Sequence, residues 1–362
     1  MNPPRNLIGW ALLHPQATPD LSGPSWDLLI RQGRRTTLLA RLRHILEQRR
    51  LLDRIPPYIK RHLDSDQKYA EKLDAATRWE VQCIMKALKP LDCPVVFLKG
   101  AAYLLAGDPA AAGRLFSDID ILVPKNRIDE VERALKKAGW VGSHQNEYDQ
   151  RYYREWMHEL PPMIHLKRQT NLDVHYNILP EVGRVCPDAA QLFERSIRLG
   201  DGPVRILCAE DRIIHSAVHL FYNGELDQGP RDLSDIDLLL RHHCTAEGFW
   251  ERLVTNAEAL GVGRSLFYAM HYARIFYGTP VPASVMTKVA DSGPQLPGSK
   301  CMDFLFMRAL MPDHPSCDDR FTGLARWALF VRAHWLRMPP ALLLRHLYKK
   351  TWIRWKSRGY LK

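Results

Sequence analysis

The spacing of apolar positions changes three times along the chain. From about Trp26 to Leu88, Arg-rich polar faces alternate with Leu39, Leu42, Ile45 and Leu46, then Leu51 and Leu52. Those three- and four-residue intervals predict helices. Pro56-Pro57 separates the first part from a second long stretch, Tyr58 to Leu88, which holds no Gly or Pro. At Pro94 the pattern shifts. PVVFLKG is a short β-branched and aromatic run ending in Gly, so it reads as a strand, and AAYLLAGD after it reads as a helix. Phe116 to Val123, closed by Pro124, is a second strand. RIDEVERALKKAGW is an amphipathic helix with Ile128, Val131, Leu135 and Ala138 on its apolar face, ending at Gly139. From Arg151 to Leu179 apolar and polar residues alternate, which predicts two or three further strands. After Glu210 the helical period returns through four segments. Pro280, Pro282, Pro294 and Pro297 then mark what reads as a surface connection. The expected fold class is α+β: a small mixed sheet with helical regions before and after it. The expected divisions are a helical region at 1–92, an α/β core at 93–207, a helical domain at 208–320 and a basic amphipathic tail at 321–362.

Composition adds limits. A chain of 362 residues with 46% hydrophobic and 25% charged residues is globular and long enough for two domains. It has no apolar run long enough to span a bilayer and no signal-peptide pattern. Its seven cysteines are scattered and form no CxxC pair, as expected for thiols in a reducing cytoplasm. The net charge is +11, and the segment from Phe321 to Lys362 carries ten cations and no acid, leaving +1 on the first 320 residues. The basic character therefore belongs to one segment. There Trp335, Leu342, Leu343, Leu344, Leu347, Trp352 and Trp355 are interleaved with Lys and Arg. That mixture suits an anionic membrane surface, RNA, or packing on the body of the protein.

The sharpest chemistry lies in GRLFSDIDILVP. Residues two apart on a strand share a face, so Asp118 and Asp120 project together with Cα atoms roughly 7 Å apart. Ile119, Ile121 and Val123 then face the core. Side-by-side carboxylates are costly without a cation, and hard oxygen ligands favour Mg²⁺, with Mn²⁺ as the substitute. Losing either carboxylate is expected to end the chemistry while relieving repulsion. In NLDVHYNI, Asp173 and His175 share one face of a later strand. If that strand lies beside the first, Asp173 completes a three-carboxylate site for two metals about 4 Å apart.

SDID occurs twice. In RDLSDIDLLLRHH, Leu233, Ile236 and Leu240 recur at helical spacing, so Asp235 and Asp237 diverge by about 200° and cannot share one metal. This copy reads as a helix whose Arg231, Asp232 and Asp235 face the cleft, or as capping and solvated charge. Arg264 with His271, the His242-His243 pair, and His215 with His219 read as core or surface residues.

The stretch from LKG through Asp118 and Asp120 to KKAGW resembles the uncharacterised nucleotidyltransferase family within the DNA polymerase beta-like nucleotidyltransferase superfamily. The resemblance extends over roughly Leu28 to Arg241 and is strongest at residues 95–140. It implies a nucleotidyltransferase that moves a nucleoside monophosphate from a nucleoside triphosphate to an acceptor hydroxyl and releases pyrophosphate. Asp118, Asp120 and Asp173 would be the catalytic, metal-holding acids. Lys99, Gly100, Arg114, Ser117 and His175 would contact the nucleotide. The acceptor is left open among a small molecule, a protein and a glycan precursor. LKG replaces the superfamily's Gly-Ser, so the phosphate-binding serine is missing. Gly100 still lets backbone N–H groups approach a phosphate, and Lys99 supplies charge. The expected location is the cytoplasm, with peripheral membrane contact through the tail. Two rivals remain: a nucleotide-sugar glycosyltransferase using the DxD, and a non-catalytic binding protein on a transferase-like fold.

Overall fold

The computed structural model describes residues 4–142, 147–200, 202–222, 224, 226–295 and 297–345. At its centre is a seven-stranded mixed sheet. The strands are β1 (Val96–Phe97), β2 (Asp118–Leu122), β3 (Trp140–Gly142), β4 (Met163–His165), β5 (Asn171–His175), β6 (Ile197–Arg198) and β7 (Arg205–Ile206). Their spatial order is β3-β4-β5-β2-β1-β7-β6. β2 runs parallel to β5 and antiparallel to β1, and the β2–β5 register sets Asp120 opposite Asp173.

Alternation along these strands divides the interior. Phe97, Ile119, Ile121, Val123, Leu172 and Val174 join a core with Val81, Ile84 and Leu88 of the Pro57–Leu88 helix and with Val131 and Leu135 of the Ile128–Lys137 helix. On the opposite side Val96 and Leu122 join a larger core built on the Ala209–Tyr222, Gly229–His243 and Gly263–Tyr277 helices. Asp118, Asp120, Asp173 and His175 therefore point toward the second helical layer. A third cluster, including Leu7, Ile8, Trp26, Leu39 and Leu63, belongs to the N-terminal helices. The α+β class holds, with helices on both sides of the sheet.

Several elements differ from the sequence pattern. Glu147–Arg151 is α-helical and Tyr152–Trp156 forms a π-helical turn, so only β4 and β5 remain as strands between Arg151 and Leu179. Four-residue pairs hold the turn: Arg151 with Glu155 at 2.7 Å and Arg154 with Gln150 at 3.2 Å. The proline-marked connection contains a helix, Ala283–Ala290, which buries Val285 and Val289. The basic segment begins as a docked helix, Thr322–Arg337, with Thr322, Ala325, Leu329 and Ala333 buried. Arg332 donates to the Phe221 carbonyl at 2.9 Å, and the Arg184 amide donates to the Leu336 carbonyl at 3.1 Å. Residues 346–362 of the expected tail lie outside the described residues.

Candidate active site

The site begins with a strained turn. β1 ends at Phe97, and Lys99 opens the Lys99–Ala106 helix with φ of 45°, a left-handed conformation that costs a non-glycine residue about 1–2 kcal/mol. The turn carries Lys99 to the acidic face, where its Nζ lies 2.6 Å from Asp120 Oδ1. Gly100 follows because nothing larger fits. A Cβ there would lie 2.5 Å from an Arg114 guanidinium nitrogen and 2.6 Å from the Phe116 ring. Gly100→Ala is expected to displace both side chains at a cost of about 1–3 kcal/mol, read as a lower Tm.

Carboxylate oxygens of Asp118, Asp120 and Asp173 come within 4.8 Å of one another. Asp120 is the buried member, and its Oδ1 also takes the His175 Nε2 at 3.0 Å. Burial opposes its ionisation, but the Lys99 ammonium and His175 outweigh that and hold its carboxyl well below the usual range. Asp118 sits nearer the surface and accepts from Ser117 Oγ at 2.8 Å. Asp173 makes no ion pair of this kind among the described residues. Burial, then the negative charge of Asp120, pushes it up to about 7. This donor set is all hard oxygen, with one carboxyl driven toward protonation by its neighbours, and it fits a divalent cation.

His175 lies deeper than a residue at the site's edge. Its Nδ1 is 3.1 Å from Glu159 Oε2 while Nε2 faces Asp120. Burial disfavours its charge, but these two carboxylates raise its pKa. The resulting chain Glu159–His175–Asp120 fixes the acid on β2 from the far side. Glu159 gives no signal in the sequence, because it enters through an isolated bridge with His175 outside the named strands.

Two cavities flank the acids. One, of about 70 Å³, is lined by Lys99, Gly100, Arg114, Ser117, Asp120 and Arg231, and also by His219, Asp232 and Asp235. The other, of about 260 Å³, is lined by Asp173, His158, Glu159, His175, His215 and Arg337, with Ile178, Leu179 and Val218 as apolar wall. Lys99, Asp118 and His219 border both. Burial, then neighbouring positive groups, pushes His158, His215 and His219 well below their ordinary pKa, so the larger cavity has neutral imidazoles in its wall.

The second SDID copy is helical, and its acids part company. Asp235 lies 2.8 Å from Arg114 Nε and 2.7 Å from Arg41, whereas Asp237 takes Arg241 at 2.7 Å and Thr279 at 2.6 Å. Arg231, Asp232 and Asp235 all border the smaller cavity. His271 instead bonds Asp303 at 3.0 Å, while Arg264 donates to the Ser292 carbonyl at 3.2 Å. Arg337, which sequence pattern marks only as one cation of the basic segment, reaches the larger cavity from the end of the Thr322–Arg337 helix.

Comparison with curated proteins and with solved structures finds no match. The family model described as an uncharacterised nucleotidyltransferase does match, over residues 22–278. That span takes in the strained turn, both acid-bearing strands, the Glu159–His175 link and the helix that anchors Arg114. With most of the sequence and every one of these elements inside it, the chain belongs to the uncharacterised nucleotidyltransferase family.

Proposed function

We propose that the protein is an Mg²⁺-dependent nucleotidyltransferase that passes a nucleoside monophosphate from a nucleoside triphosphate to an acceptor hydroxyl. The observation carrying this reading is the division of the acids between the two cavities. Asp120 faces the smaller cavity, Asp173 faces the larger one, and Asp118 borders both. A triphosphate is assigned to the smaller cavity, where the Gly100 backbone, Lys99, Arg114 and Arg231 converge, each of these cations already paired with an aspartate. The acceptor then enters the larger cavity, beside Asp173.

The reaction has a simple balance. An acceptor oxygen bonds to the α-phosphorus while the bridging P–O bond to the β-phosphate breaks, and pyrophosphate leaves. Asp173 takes the hydroxyl proton at a carboxylate oxygen, in keeping with a carboxyl poised near neutrality. Lys99 and Arg114 balance charge on the phosphates. His175, held by Glu159, keeps Asp120 in place. A divalent cation held by Asp118, Asp120 and Asp173 would supply charge neutralisation and orient the phosphates for in-line attack.

The test is incubation of the protein with each labelled nucleoside triphosphate and cell-extract acceptor pools, with and without Mg²⁺. Pyrophosphate release and a mass shift of one nucleoside monophosphate on an acceptor are expected only with the cation. Release of a nucleoside diphosphate from a nucleotide sugar would instead establish the glycosyltransferase reading. Triphosphate binding without turnover over all pools would favour a non-catalytic protein.

A further inference from the structure

The Thr322–Arg337 helix is apolar on two sides. Its inner face, with Thr322, Ala325, Leu329 and Ala333, packs on the body. Leu324, Trp327, Val331 and Trp335 follow one another at intervals of three, four and four residues, so they form a second stripe along the helix. This stripe points outward. Trp327 is 63% exposed, Trp335 45%, and Phe330 lies exposed beside them. The inner face is already engaged, so the outer stripe is surplus to folding, and an outward row of large apolar residues marks a contact surface.

Charge identifies the contact. Arg184, Arg320 and Arg345 are exposed, and Arg184 lies 4.5 Å over the Trp335 ring. The seventeen residues that follow Arg345 carry Lys349, Lys350, Arg354, Lys356, Arg358 and Lys362, with Trp352 and Trp355 and no acid. Two tryptophans on a helix flanked by cations match the headgroup region of an anionic bilayer, where indoles seat and phosphates neutralise Lys and Arg. Among the described residues no helix is long and apolar enough to cross a membrane, so contact would be with the surface. We propose that the outer face of this helix docks on an anionic lipid surface.

The proposal stands apart from the transfer chemistry and is tested on the full chain. Co-sedimentation uses phosphatidylcholine vesicles with and without phosphatidylglycerol, at low and high salt. Binding is expected with the anionic vesicles, about tenfold weaker with the neutral ones, and weaker at high salt as the Debye length shortens. Trp327→Glu with Val331→Glu places charges on exposed positions. It is expected to lower binding about tenfold or more without altering the thermal transition. A chain ending at Arg345 is expected to lose the salt-sensitive part. As a direct readout, brominated lipid should quench tryptophan fluorescence of the unaltered protein. Binding of the double variant equal to that of the parent would overturn the proposal, as would absence of quenching. So would RNA binding in place of vesicle binding, or a dimer that the double variant splits into monomers.

Discussion

Asp173→Asn is expected to make the protein inactive and more stable together, whereas Asp120→Asn makes it inactive and less stable. Both variants should lose about 10³-fold or more in transfer rate, since each removes a charged oxygen at the reacting centre. Their stabilities diverge because their partners do. Asp173 is partly buried beside Asp120 without an ion pair of its own among the described residues, and its carboxyl is raised to about 7 by burial and then by the Asp120 charge. The folded state therefore binds that proton more tightly than the unfolded chain, and stability falls as pH climbs from about 4 to about 7. Asparagine removes this penalty. Without metal, the gain should be on the order of 1–3 kcal/mol above pH 7, a few degrees in Tm, and should fade toward pH 4. Asp120 has the opposite sign. Its carboxyl is held low by Lys99 and His175, so its contribution is present above the unfolded value and lost as pH falls below it. Removing it leaves the half-buried Lys99 ammonium without its closest partner, at a cost of about 2–3 kcal/mol. Thermal melts of both variants across pH 4–8, with and without Mg²⁺, decide the matter. Equal shifts would contradict the charge distribution described here. Asp118→Ala, nearer the surface, is expected to lose transfer with little change in Tm.

The three acids were readable in the sequence because strand period is a local property. Asp118 and Asp120 share a face whatever surrounds them, and Asp173 needed only one parallel pairing to join them. The second SDID was equally local, since Leu233, Ile236 and Leu240 show a helix without help from tertiary structure. What stayed hidden depends on contacts distant in sequence. Expecting relief of repulsion at either β2 acid ignored Lys99, which reaches Asp120 only because its backbone takes a left-handed turn. Glu159 touches His175 through an isolated bridge, and Arg337 arrives from a helix more than 160 residues beyond β5. The Tyr152–Trp156 segment lies in a stretch expected to hold strands, yet its charged and aromatic side chains pair at four-residue separation, and those pairs select a helical turn. The basic segment looked like a uniform tail because composition cannot show that Ala325, Leu329 and Ala333 meet the body while Trp327 does not.

The second SDID copy, which holds no metal cluster among the described residues, is expected to matter for stability rather than for metal binding. Asp235 lies between two buried guanidiniums, Arg41 at 2.7 Å with 2% of its side chain exposed and Arg114 at 2.8 Å with 9%. Arg41 comes from the N-terminal helices and also donates to Ser234 Oγ at 3.0 Å, so this one carboxylate ties three parts of the chain together. Asp235→Asn leaves two buried cations short of a counter-charge. The expected cost is about 3–5 kcal/mol, a fall in Tm of roughly ten degrees. Because Arg114 loses its anchor at the phosphate-side cavity, KM for the triphosphate should rise more than kcat falls. Asp237→Asn, two residues on, keeps a hydrogen-bonding side chain for Thr279 and disturbs only the partly exposed Arg241. Its cost should be about 1 kcal/mol with activity unchanged. Arg41→Met separates charge from geometry: combined with Asp235→Asn, it should cost less than the sum of the two single changes, because each removes the other's uncompensated charge. Additive losses in chemical denaturation, or equal effects at Asp235 and Asp237, would show that the buried ion pairs do not hold this helix against the core.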